Sequence, residues 1–123
     1  AVKNTNIKVF GVTTLTSLND EEAINIFKRT SSEQVKVMLD SAISAGLDGV
    51  VCSAHELKLV RSKKSLLSIT PGIRLHDSND DQKRVMTPRQ AIDLGADYIV
   101  IGRPITSSHD VKDSLNKIYE SIQ

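Results

Sequence analysis

Ala45-Gly46-Leu47-Asp48-Gly49-Val50-Val51-Cys52 and Leu94-Gly95-Ala96-Asp97-Tyr98-Ile99-Val100-Ile101 decide the fold. Each octet ends a helical stretch on Gly, turns through Asp and enters a short apolar run. A Gly just past a helix supplies the left-handed residue that closes its last turn. A short apolar run without polar alternation reads as a strand buried on both faces. Strands of this kind, joined through helices, imply a parallel sheet covered by helices. Residues 7–14 (IKVFGVTT) and 66–70 (LLSIT) are apolar runs of the same sort. The expected strands are therefore 7–14, 48–52, 66–70 and 97–101. Four strand–helix units make either a small open sheet or half of an eight-stranded barrel, as a single domain or half-barrel over 1–123.

The stretches between the strands carry helix signals. Residues 20–29 open with Asp20, Glu21 and Glu22, which suit a helix N-terminus. Thr30 and Glu33 have capping-box spacing, and Val35, Met38, Leu39, Ala42 and Ile43 then share one face. Residues 54–61 read as one or two helical turns. Thr87-Pro88-Arg89-Gln90 combines an N-cap, a first-turn Pro and a Gln three residues after the cap. The last helix is expected over 110–122, with Val111, Leu115, Ile118, Tyr119 and Ile122 on one face. Residues 75–86 are polar and aperiodic, and read as a lid loop. Asp77, Asn79 and Asp81 fit the first positions of a calcium loop. Gln82 stands where that loop needs Gly, however, and Pro88 where it needs a bidentate Glu, so a solvated loop is the better reading.

Composition narrows the function. Sixteen Lys and Arg against fifteen Asp and Glu give a net charge of +1, with the basic residues scattered. Aromatics make up 3% and Trp is absent, so no stacking platform for nucleic acid is expected. No apolar run approaches the roughly 20 residues of a membrane span, and no signal-peptide core precedes residue 7. The single Cys52 excludes an internal disulfide and suits a reducing compartment. The expectation is a cytoplasmic protein.

Two strand-end motifs carry the chemistry: Thr70-Pro71-Gly72-Ile73-Arg74 and Ile101-Gly102-Arg103-Pro104-Ile105. Each puts a Gly and an Arg where a buried strand emerges. Gly lets a backbone approach a ligand closely, and Arg offers a planar fork of donors that fits a phosphate. For Arg103 the alternative is a surface Arg paired with a carboxylate; for Arg74 it is a loop salt bridge. Thr16 and Ser17 lie just past the first strand, where polar groups could bond a ligand ring. His55, His76 and His109 have no metal-ligand spacing. Cys52 reads as a small core residue, and Asp48 and Asp97, at strand starts, read as structural.

These residues carry a resemblance. Val12-Thr13-Thr14-Leu15-Thr16-Ser17, then Gly46 to Ala54, then Thr70-Pro71-Gly72-Ile73-Arg74 follow one another as in the orotidine 5′-monophosphate decarboxylases, especially the bacterial ones. Asp81-Gln82-Lys83-Arg84-Val85-Met86-Thr87-Pro88 and Gly95 to Ile105 continue the match. The resemblance implies an α/β fold: the C-terminal half, four βα units, of a phosphate-binding TIM (β/α)8 barrel. It implies a homodimeric lyase that turns orotidine 5′-monophosphate (OMP) into uridine 5′-monophosphate (UMP) and CO2 without cofactor or metal. It also implies that Thr16 and Ser17 meet the pyrimidine and that Pro71 lies near the base. Gln82, on the lid, would reach phosphate and base; Arg74, Gly102 and Arg103 would bind or frame the phosphate.

One departure stands out. The family's Asp-x-Lys-x-x-Asp motif is absent. Asp81-Gln82-Lys83 and Asp110-Val111-Lys112 have Asp-x-Lys spacing, but neither lies at a strand end in the right order. The first strand here would be the fifth of the barrel. The expectation is that the catalytic Lys and Asp network lies in a missing N-terminal half, that this chain holds no catalytic residue, and that alone it is inactive. Two other readings stay open: a sugar-phosphate decarboxylase or isomerase of the same barrel group, and a non-catalytic phosphate-binding half-barrel.

Overall fold

The computed structural model describes residues 6–14, 19–63, 65–75 and 86–123. Among these residues the chain runs β1 (Phe10–Val12), α1 (Asp20–Phe27), α2 (Ser31–Ser44) and β2 (Gly49–Val51). A single tight turn (Ala54–Glu56) leads into α3 (Leu57–Ser62), followed by β3 (Leu67–Thr70), α4 (Pro88–Asp93), β4 (Tyr98–Ile99), α5 (Arg103–Thr106) and α6 (Val111–Ile122). Each strand lies inside its expected range and is shorter than it. Helix α5 was not anticipated, although Pro104 in its first turn is a helix-start signal.

All pairings are parallel, in the order β1-β2-β3-β4. A doubly wound open sheet reverses its strand order so that helices cover both faces. Here every strand joins the next in a single direction, and right-handed crossovers then place all helices on one face. That is the winding of a barrel wall.

Burial divides accordingly. Val50, Ser68 and Thr70 point into the helix layer and are buried, joining a core of Val35, Leu39, Ala42, Leu57, Val60, Leu66, Ile73 and Ala91. On the opposite face Val12, Val51, Ile69 and Tyr98 stand in register. That face is open: Val12 is 60% exposed and Tyr98 51%. The sheet is also curled. Three strand spacings would hold β1 and β4 about 14 Å apart if flat, yet the Phe10 and Tyr98 rings meet edge-to-face with centroids 6.4 Å apart. Gly49 makes this possible, because a Cβ there would stand 2.5 Å from Phe10 Cε1 and press on the Leu67 carbonyl.

The two octets are one structural unit used twice. Ala45, Gly46 and Leu47 donate to the carbonyls of Ser41, Ile43 and Ala42; Leu94, Gly95 and Ala96 donate to Gln90, Ile92 and Ala91. Both glycines take the left-handed conformation, φ +69° and +91°. Each following Asp then accepts from an amide in or next to the preceding strand: Asp48 from Val9, just before β1, at 2.8 Å and Asp97 from Ser68 in β3 at 2.8 Å. Capping boxes close the N-termini of α1 (Asn19, Glu22), α2 (Thr30, Glu33) and α4 (Thr87, Gln90). In α6 the apolar face is only partly covered. Ser114 and Ile118 are buried, whereas Val111, Leu115 and Tyr119 are exposed.

Candidate functional site

Parallel strands deliver all their C-terminal ends to one rim, where barrel enzymes carry their chemistry. The two Gly–Arg motifs leave that rim side by side. Ile69 pairs with Tyr98 and Thr70 with Ile99, and the Val100 amide donates to the Thr70 carbonyl at 2.8 Å. Pro71 is half-buried, and Gly72 takes φ +79°, which lets the chain turn at once off β3. The Arg74 amide donates to the Met86 carbonyl at 3.1 Å, beside a parallel bridge between Ile73 and Met86. Residues 73–74 and Met86 are therefore tied together at the rim. Gly102 precedes α5, and among the described residues nothing lies within 4 Å of where a Cβ on it would stand. Arg103 is exposed, and among the described residues no carboxylate pairs with it. Gln82, Thr16 and Ser17 lie outside the described residues, as does most of the expected lid.

At the exits of β1 and β2 a second polar group gathers. Glu56 Oε2 accepts from the Ser53 amide at 3.2 Å and from the Thr13 hydroxyl at 3.4 Å. Burial pushes its carboxyl above the usual range, opposed by the Ser53 amide and the hydroxyls of Thr13, Thr14 and Ser53. Thr14 Oγ1 is buried, with no hydrogen-bond partner within 3.5 Å among the described residues. Cys52, below this group, is buried, and its thiol is pushed up to about 11 by burial and by the Glu56 charge. A thiol so disfavoured as thiolate is an inert core group. Glu56 and Thr13 had escaped the sequence reading. Ser53 and Glu56 carry capping-box spacing, a signal present but indistinguishable from an ordinary helix start.

The opposite rim is purely structural. Arg61 Nη2 meets Asp97 Oδ2 at 2.6 Å and reaches the Leu66 carbonyl at 3.2 Å. The same Asp97 oxygen accepts the amide and hydroxyl of Ser68 at 2.8 and 3.0 Å. Burial favours protonation of Asp97, but Ser68 and Arg61 outweigh it and hold the carboxyl below its usual range. The bonds of Asp48 and Asp97 fit the structural role expected of both. Among the described residues no helix is long and apolar enough to cross a membrane.

Known proteins match this chain along its length. A curated orotidine 5′-phosphate decarboxylase from Wolbachia pipientis is 46% identical over 98% of this chain and 55% of its own length. One from Coxiella burnetii is 49% identical over 94% of this chain and 50% of its own. A crystal structure of orotidine 5′-phosphate decarboxylase from Lactobacillus acidophilus superposes with a TM-score of 0.75 at 32% identity. It aligns over 94% of this chain and 49% of that one. The chain thus spans about half the length of the curated relatives it matches, and its four βα units are half of a (β/α)8 barrel. Residues 1–118 match the family described as "Orotidine 5'-phosphate decarboxylase / HUMPS family", and the chain belongs to that family.

Proposed function

We propose that this chain acts as the phosphate- and base-binding half of an orotidine 5′-phosphate decarboxylase, a lyase of de novo pyrimidine biosynthesis. The whole enzyme would convert OMP to UMP and CO2. The observation that carries this reading is the adjacency of the β3 and β4 exits, with an Arg103 that no carboxylate among the described residues pairs with, beside Gly102. A guanidinium that no described carboxylate occupies is available to a phosphate. Gly102 leaves room for main chain and ligand to meet. In this reading Arg74 frames the phosphate from the neighbouring strand and Pro71 flanks the base. Thr16, Ser17 and Gln82, assigned by resemblance alone, meet the pyrimidine and bridge base to phosphate. We place the enzyme in the cytoplasm as a homodimer, its other four βα units closing the barrel.

The chemistry divides between the halves. When the carboxylate leaves as CO2, the C–C bonding pair stays on the ring carbon. A nearby cation stabilises that charge, and an acid then protonates the carbon. Those groups belong to the other four units. This half holds the remote phosphate, and binding energy gathered there can stabilise the transition state.

The test is Arg103→Ala in the complete barrel. It removes charge-assisted bonds, each worth about 1.5–3 kcal/mol, so kcat/KM for OMP falls roughly 100-fold or more. Arg103→Lys, which keeps the charge without the fork, recovers part of the loss. An unchanged kcat/KM would dismiss the assignment.

A further inference from the structure

Glu56 has no part in the mechanism above, yet it ties together two exits of the rim. Its bond to the Ser53 amide caps its own helical turn. Its contact with the Thr13 hydroxyl crosses from the exit of β2 to the exit of β1. Proton bookkeeping shows how the tie is made. Thr13 Oγ1 is 3.0 Å from the Val51 carbonyl as well as 3.4 Å from Glu56. A hydroxyl has one proton and cannot serve both acceptors. The Val51 carbonyl already receives the Thr13 amide at 3.0 Å, so the hydroxyl is free to turn to a charged Glu56. If Glu56 is protonated the direction reverses: it donates to Thr13, which donates to Val51. The tie survives either way. Beside it the Thr14 hydroxyl is buried with no hydrogen-bond partner among the described residues.

The geometry points to Glu56 as a positioning residue: acting through Thr13, it holds the β1 and β2 exits in the register that receives the base end of the ligand. This rests on the nucleotide reading above. The phosphate grip lies at the β3 and β4 exits. Strands about 4.8 Å apart set the β1–β2 exits off from it by a distance comparable with the length of a nucleotide. Loss of the tie therefore weakens what binds at the base end and spares what binds at the phosphate end.

Two ligands separate these effects in the complete barrel: UMP, and ribose 5-phosphate, which lacks the base. Glu56→Ala is expected to weaken UMP about tenfold, the scale of one hydrogen bond, and to leave ribose 5-phosphate within about twofold. Glu56→Gln, whose amide oxygen in the place of Oε2 can accept from both the Ser53 amide and the Thr13 hydroxyl, restores UMP affinity. Thr13→Val reproduces the Glu56→Ala effect, and the double variant adds nothing further. Thr13→Val also carries the test should Glu56→Ala fail to fold. Equal loss for both ligands, or no loss for either, overturns the inference. Failure of the unaltered enzyme to bind UMP would instead overturn the nucleotide reading itself.

Discussion

At the residue scale, two carboxylates at opposite rims of the same sheet have been pushed in opposite directions. Asp97 gains the Ser68 amide, the Ser68 hydroxyl and Arg61, and its carboxyl sits low. Its folded value lies below the unfolded one, so the stability it contributes is present above about pH 4 and is lost as pH falls through the folded value. Glu56 is half-buried with no cation paired to it among the described residues, and its carboxyl sits high. Its contribution is complete below the ordinary carboxylate range and declines as pH rises through the raised value. Thermal unfolding across pH tests both. Asp97→Ala is expected to cost about 2 kcal/mol near neutrality, because the Ser68 amide and Arg61 lose their partner. The gap to the unaltered protein narrows in acid. Glu56→Gln shows the reverse trend, faring relatively better as pH rises. A gap for Asp97→Ala that stays constant in acid would remove its charge from the account.

At the element scale, the helix-to-strand corner is built twice with one difference. Gly46 and Gly95 both need a left-handed backbone, which disfavours any other residue by about 1 kcal/mol. Open space surrounds Gly46, whereas a Cβ on Gly95 would stand 2.9 Å from Arg61 Cδ. Arg61 cannot yield freely, since its guanidinium is held by Asp97. Gly46→Ala is therefore expected to destabilise by about 1 kcal/mol, and Gly95→Ala by about 2 kcal/mol or more. Chemical denaturation of the two variants measures the difference, and equal losses would show that Arg61 moves aside without cost. The corner was legible in the two octets because its ingredients are local. Gly follows the helix and Asp follows Gly. The wedge of Arg61 under Gly95 was not legible, because it comes from a helix more than thirty positions earlier in the chain.

At the scale of the whole molecule, one face of the sheet is packed by helices and the other is bare. Val12, Tyr98 and Val100 are exposed there, and Val111, Leu115 and Tyr119 extend α6 outward without cover. Among the described residues both outer strands also keep an unpaired edge, which invites further pairing. The 123-residue chain on its own is expected to self-associate and to bind an apolar dye, whereas co-expression with the other four βα units of the barrel yields one discrete, dye-silent species. Light scattering and dye fluorescence report both. A monodisperse, dye-silent half on its own would mean that the bare face is closed by its own chain.

The sequence by itself determined the units: buried strands, capped helices, the Gly–Asp corners and the Gly–Arg motifs at two strand ends. All depend on spacing within a few residues, where backbone preference and short-range hydrogen bonds act. Tertiary structure alone decided the rest. Strand order chose a barrel wall over an open sheet, and register put Pro71 and Gly102 on adjacent exits. Curvature let Phe10 reach Tyr98 across Gly49, and the fold set Glu56 against Thr13, forty-three positions away. Such contacts join residues far apart along the chain, and their partners are fixed only once burial has chosen which strands lie side by side.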